Sequence, residues 1–255
     1  MLTLVLTRHG STTRSDPEQH LGQHLDLPLS DAGRAAARAL GERLAGVRLD
    51  RVVASPLLRA RETASLVVPG RRAETDVRLL EMDYGRWEGL TYGEIEAADS
   101  EARRRWEADP AGRACPGGES GDQVARRIGA FLDDLIAWAS GSARGSSDAP
   151  APSGGLPSAG GPSSSDASAP SGGLPSAGEP RSSDAVALVV AHSTTNRVLL
   201  CVALGVPVRD YRRRFVQAPA NLTVLRFPGG RADGAQLLVA NDVAHVRGIR
   251  GVTWG

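Results

Sequence analysis

Two short strings, far apart in the chain, hold residues suited to anion chemistry: Thr7-Arg8-His9-Gly10 near the start and Ala191-His192-Ser193 near the end. Each closes an apolar, β-branched run, Leu2-Thr3-Leu4-Val5-Leu6 in the first case and Val186-Ala187-Leu188-Val189-Val190 in the second. Such runs predict buried strands. In a parallel sheet both histidines emerge at the same edge, where open α/β folds place their ligands. Two imidazoles and an arginine converging there point to chemistry on an anion, a phosphate above all.

Strand and helix patterns alternate along the chain. This predicts an α/β fold, a doubly wound, mainly parallel sheet flanked by helices on both faces. After the first strand, Ser30 to Ala45 reads as a helix, with Ser30 as N-cap and Gly46 at the C-terminal end. Arg51 to Ala54 is a short strand, and Ser55-Pro56 predicts a helix start that puts Arg59 near the sheet edge. Val77 to Leu80 reads as an edge strand and Tyr92 to Asp109 as a polar helix. Val124, Ile128, Leu132, Leu135 and Ala139 form one apolar stripe on a long helix. Val186 to Ala191 is a strand, Asn196 to Leu204 a helix, and two late strands cover Asn221 to Phe227 and Gln236 to Ala240.

Composition narrows the function classes. The net charge is +1 across 255 residues, with no basic block, so neither nucleic acid nor a membrane is an expected partner. All 30 basic residues are arginine, so no lysine can form a Schiff base or clamp a phosphate. Cys115 and Cys201 have no redox or metal-ligand spacing, and no cofactor or metal is expected. With no signal-peptide pattern at the N-terminus, the expected location is cytoplasmic.

From 141 to 184 the chain is built of Ser, Gly, Ala and Pro. The string Ala-Pro-Ser-Gly-Gly-Leu-Pro-Ser-Ala-Gly occurs at 151–160 and again at 169–178. Two copies are too few for a solenoid, and such a composition cannot bury enough apolar surface to offset its ordering entropy. It is therefore expected to be a disordered insert in one domain made of 1–140 and 185–255.

Further strings complete the constellation: Ser55-Pro56-Leu57-Leu58-Arg59-Ala60-Arg61-Glu62-Thr63-Ala64, and Leu80-Glu81-Met82-Asp83-Tyr84-Gly85-Arg86-Trp87-Glu88-Gly89. Asp26-Leu27-Pro28-Leu29-Ser30 with Gly33, Pro116-Gly117-Gly118-Glu119-Ser120, and Asn241-Asp242-Val243-Ala244-His245 follow the same order. In these pieces the chain resembles the histidine phosphatase superfamily, the phosphoglycerate-mutase-like family, over nearly all its length outside the insert. The resemblance implies a phosphomonoester hydrolase acting on a small phosphorylated metabolite. It implies His9 as nucleophile, forming a phosphohistidine, with Arg8, Arg59 and His192 around the transferring phosphoryl group. Phosphoryl transfer depends mainly on positioning and on charge placed against three equatorial oxygens, which forked guanidiniums supply. Glu81 is the expected general acid and then base, a role that calls for a carboxyl raised by partial burial. Asp83 is its rival.

Second-rank substrate contacts are expected from Ser15, Gly22, Gln23 and Ser193, positions where this sequence departs from the family pattern. The family often has asparagine at the first of these, the reverse order at 22–23, and glycine at the last. Arg61 is expected to pair with a surface carboxylate, Arg86 and Glu88 to form a solvated pair, and Trp87 to pack. His20, His24 and His245 are expected to be noncatalytic, with His24 at the mouth. Gly85-Arg86-Trp87-Glu88-Gly89 resembles the phosphatase branch, including the α-ribazole phosphatases, more than the mutases. Three other readings remain: a phosphoglycerate mutase, a noncatalytic phosphate-binding module, and a metallohydrolase, against which two adjacent arginines argue. A homodimer is left open.

Overall fold

The structure, a computed structural model, describes residues 1–16, 18–145 and 184–248. Its framework is a six-stranded sheet in the order β3-β2-β4-β1-β5-β6. The strands are β1 (Leu2–Arg8), β2 (Arg51–Ala54), β3 (Glu74–Thr75), β4 (Ala185–Ala191), β5 (Leu222–Phe227) and β6 (Gln236–Asp242). β3, β2, β4 and β1 run parallel, while β5 and β6 extend the sheet antiparallel from the β1 edge.

Period-two alternation along the strands explains why both faces are covered. Leu2, Leu4 and Leu6 share one core with Ala187 and Val189, packed beneath α4 (Gly121–Gly145) and α5 (Ser193–Leu204). Val5, Val52, Leu188 and Val190 face the other way, toward Ala37 and Leu40 of α1 (Asp31–Arg43) and Ala60 and Ala64 of α2 (Leu58–Val67). The α4 stripe is buried at all five of its predicted positions. α3 (Tyr92–Ala108) is held by Ile95 and Trp106 and breaks helical geometry at Asp99.

Three departures from the expected elements have a visible cause, the first local and the other two tertiary. Val77–Leu79 is a 3₁₀ turn, because the Asp76 carboxylate accepts the Arg78 amide at 2.9 Å and curls the chain; only Glu74–Thr75 pairs as strand. α2 begins at Leu58 rather than at Pro56, where the Asp26 carboxylate reaches across to accept the Leu58 amide at 2.6 Å. α5 begins at Ser193 rather than Asn196, for a reason that lies in the site.

The 141–184 insert lies almost entirely outside the described residues, so its expected disorder is not addressed. Its exit is defined: β4 starts at Ala185 beside Leu2, at the sheet edge opposite Arg8 and Ala191. Loop-closure entropy grows only logarithmically with length. Deleting residues 142–181 is therefore expected to change kcat/KM by less than about threefold; a folded deletion variant with a tenfold loss would contradict the single-domain reading.

Candidate active site

β1 and β4 end side by side. Arg8 is in register with Ala191, and the His9 amide donates to the Ala191 carbonyl at 2.9 Å. This pairing brings the rings of His9 and His192 to 5.1 Å between centroids, edge to face. Gly10 follows His9 because of a close approach and not a turn. A Cβ there would stand 2.5 Å from the Gly33 carbonyl oxygen, so the first turn of α1 rests directly on the backbone beside His9.

Both histidines are buried. The Nδ1 of His9 lies 2.7 Å from its own neighbour's carbonyl, Gly10 O, which assigns the proton to Nδ1 and leaves the Nε2 lone pair free. Burial first, then Arg59 and Arg8, hold His9 well below the ordinary imidazole range, so it is neutral at pH 7. His192 is held low by burial, Arg59 and His9, and neither of its ring nitrogens has a hydrogen-bond partner among the described residues.

Arg59 is 0% exposed. Its Nη1 donates to the Leu25 carbonyl at 2.9 Å and its Nη2 to the Gly22 carbonyl at 2.7 Å. Arg8 donates from Nη1 to the Gln217 carbonyl and from Nη2 to Glu18, both at 3.0 Å, while Asn221 accepts its backbone amide. Burial alone would raise Glu18, but Arg8, with Arg197 and His20, holds the carboxyl below its ordinary value.

Glu81 is 6% exposed and sits at the N-terminus of α5. Its Oε1 accepts from the Met82 amide, the Thr195 amide and the Thr195 hydroxyl at 2.9, 3.0 and 3.1 Å. Among the described residues its Oε2 accepts only from the Thr194 amide, at 3.2 Å. A carboxylate on the first free amides of a helix replaces a local cap, which is why α5 starts directly after His192. Oε2, the less occupied oxygen, is the one available to exchange a proton. Asp83 does not compete for that place: its Oδ1 accepts the Gly85 amide at 2.7 Å and its Oδ2 faces His24.

Arg8, His9, Arg59 and Glu81 line one cavity, together with Arg14, Ser15, Glu18, Gln19, His20, Tyr92, Ser193 and Arg197. It contains Arg8, His9, Arg59, Glu81, Ser15 and Ser193 of the expected set, with His192 packed against His9 behind it. Gly22 and Gln23 serve the site from outside. Gly22 holds Arg59 through its carbonyl, and the side-chain Nε2 of Gln23 donates to the Glu81 carbonyl at 2.8 Å. Two surface expectations are corrected. Arg61 is exposed and makes no ion pair among the described residues. Glu88 is not paired with Arg86, which instead meets Asp99; Glu88 accepts the amides of Gln23, His24 and Leu25 and so shapes the loop that holds Arg59. Trp87 packs edge-on against Trp106, as expected. His20 is buried between Tyr84 and Tyr92 on the cavity wall, and His245 bonds the Ala220 carbonyl.

Sequence reading missed Arg14, Glu18, Gln19, Tyr92 and Arg197 on the cavity wall. The only local signal was the density of polar residues between Thr12 and His20. One grouping of metal-ligand type occurs among the described residues, His24, Asp83 and Glu88, none of which lines the cavity, and the Glu88 carboxylate is already taken by three amides. No helix among the described residues is long and apolar enough to cross a membrane.

The buried neutral histidines couple stability to pH. Below pH 6.5 the unfolded chain protonates at both positions while folded His9 and His192 stay neutral. Stability is therefore full above about pH 6.5 and falls as pH drops toward the folded values, by up to about 1.4 kcal/mol per pH unit for each. Carboxylates held low, such as Asp76 and Glu18, enter only at lower pH, near and below their ordinary values. Urea unfolding at pH 7.0 and 5.5 should show a lower midpoint at 5.5. Equal midpoints would mean that the histidines are not held low.

The comparisons with known proteins agree with this geometry. The chain matches the Histidine phosphatase superfamily (branch 1) over residues 4–143 and 176–242. It is 39% identical over 135 residues to a glucosyl-3-phosphoglycerate phosphatase of Mycolicibacterium vanbaalenii, covering 52% of this chain and 59% of that one. It is 31% identical over 137 residues to phosphoserine phosphatase 1 of Hydrogenobacter thermophilus, covering 53% and 64%. The chain thus spans less than two thirds of the length of these curated relatives. Among solved structures, a mycobacterial glucosyl-3-phosphoglycerate phosphatase in complex with VO3 superposes with a TM-score of 0.69 at 27% identity, covering 94% of this chain and 98% of that one. The alignment of the family over both halves of the sheet, together with the paired histidines at its edge, establishes that this chain belongs to the histidine phosphatase superfamily, branch 1.

Proposed function

We propose that the chain hydrolyses phosphomonoesters through a phosphohistidine on His9, and that its substrate is a small, polar phosphorylated metabolite. One observation carries the reading: a buried, neutral His9 whose Nδ1 proton is held by Gly10, leaving Nε2 free in a cavity that Arg8 and Arg59 also line. The Nε2 lone pair attacks phosphorus as the bond to the leaving oxygen breaks. Glu81 Oε2 delivers the proton that this oxygen needs. Arg8 and Arg59 stabilise charge on the equatorial oxygens, and the unpartnered His192 ring nitrogens suit a phosphoryl oxygen. Water then attacks the phosphohistidine, Glu81 takes its proton, phosphate leaves and His9 is restored. A polar wall with Arg14, Gln19 and Arg197 favours a hydrophilic alcohol over an apolar one.

The test is a panel of phosphomonoesters, including phosphoglycerates and α-ribazole phosphate, assayed for phosphate release with and without a chelator. Phosphate release unaffected by the chelator is expected. Dominant conversion of 3-phosphoglycerate to 2-phosphoglycerate would replace the hydrolase with a mutase.

A further inference from the structure

The Pro116-Gly117-Gly118-Glu119-Ser120 turn and α4 have no place in the mechanism above, yet both converge on the backbone that carries Glu81. Arg127, on α4, uses all five of its N–H donors there. Nε and Nη2 fork onto the Glu119 carboxylate at 3.2 and 3.0 Å. Nη1 donates to the carbonyls of Arg78 and Leu80 at 2.6 and 2.7 Å, and Nη2 also reaches the Glu81 carbonyl at 3.1 Å. Glu119 in turn accepts the Asp83 amide at 3.0 Å and the Gln23 side chain at 3.1 Å. The turn is pressed close: the Glu119 amide donates to the Asp83 carbonyl at 2.8 Å, and a Cβ on Gly118 would stand 2.2 Å from that same oxygen.

The segment so held is irregular. It lies between two 3₁₀ turns, Val77–Leu79 and Gly85–Trp87, and has no ladder of its own to fix it. Its carboxylate is fixed by the amides of α5 and its carbonyls by Arg127, so the side chain and backbone of Glu81 are gripped from opposite sides. A proton donor must stay within about 3 Å of the leaving oxygen, and a shift of about 1 Å can cost about 100-fold.

We propose that Arg127 and Glu119 are positioning residues that set the place of Glu81 for proton transfer, without touching substrate. This rests on the reading of Glu81 as the general acid. Lysine cannot replace Arg127, since an ammonium has three donors where five are in use.

The leaving group separates positioning from general support. 4-Nitrophenolate leaves with little need of a proton, whereas an alkoxide such as that of glycerol phosphate needs one. The full-length chain and the variants Arg127→Met, Arg127→Lys, Glu119→Gln and Glu81→Gln are compared by kcat/KM on both esters, with near-ultraviolet circular dichroism to confirm folding. Glu81→Gln should lose about 10²–10⁴-fold on glycerol phosphate and far less on 4-nitrophenyl phosphate. Arg127→Met and Arg127→Lys should show the same selectivity at about tenfold or more on glycerol phosphate, with under about threefold on the aryl ester. Glu119→Gln, which keeps its acceptor oxygen, supplies the readout if the Arg127 variants do not fold, and should be selective in the same sense. Equal losses on both esters, or none, in folded variants beside a selective Glu81→Gln would overturn the positioning role alone. An unselective Glu81→Gln would overturn the acid assignment and the positioning role with it.

Discussion

Replacing His9 by alanine is expected to lower kcat/KM at least about 10⁴-fold, on good and poor leaving groups alike. No nearby group can substitute for it. His192 is the nearest imidazole, at 5.1 Å between ring centroids, but in the proposed mechanism its ring donates to a phosphoryl oxygen and does not attack phosphorus. Acid-quenched single turnovers with ³²P-labelled substrate should give an acid-labile, base-stable phosphoprotein in the wild type and none in His9→Ala. His192→Ala should behave differently. It loses a donor to the transferring group, with a fall of about 10²–10³-fold, but it keeps a slower labelling at His9. Label persisting in His9→Ala, or activity within tenfold of wild type, would end the phosphohistidine mechanism.

Arg59→Met combines two losses that different measurements separate. The first is catalytic: removing an arginine from a phosphoryl site costs about 10³–10⁵-fold, and binding of vanadate should weaken with it. The second is structural. Arg59 is fully buried and donates to the carbonyls of Leu25 and Gly22, and each buried acceptor left without a donor costs about 1–3 kcal/mol. The urea midpoint should therefore fall as well as the rate. Arg59→Lys should recover little of either, because one ammonium cannot serve two diverging carbonyls and a phosphate together. A lysine variant with more than a tenth of wild-type kcat/KM would show that the forked geometry is unimportant.

The sequence was most informative where burial is two-sided and local. The runs before His9 and His192 became adjacent parallel strands in the expected sense, and the stripe from Val124 to Ala139 is the buried face of α4. The first follows from continuous apolar, β-branched runs and the second from helical periodicity. Sequence reading failed where a capping carboxylate, near or distant, overrides the pattern of the segment it holds. Val77 to Leu80 has strand-like composition, but Asp76 turns it. Glu88 reads as a surface charge, yet it organises the loop that holds Arg59. Arg14, Glu18 and Gln19 on the cavity wall were missed because they lie in short bridges and turns with no period to detect.

By itself the sequence determined the chemistry on offer: two histidines at strand ends, arginines as the sole cations, and the order of motifs that marks the family. Tertiary structure alone decided how those groups are tuned. The proton on His9 is assigned by the Gly10 carbonyl, and its neutrality by burial beside Arg59 and Arg8. Which carboxylate meets the amides of α5, that of Glu81 and not that of Asp83, is decided by the fold, and the start of α5 follows from the same contact. The physical reason is common to all of these. Residue type and spacing are local properties of the chain, whereas desolvation, hydrogen-bond partners and field depend on atoms that only folding brings within a few ångströms.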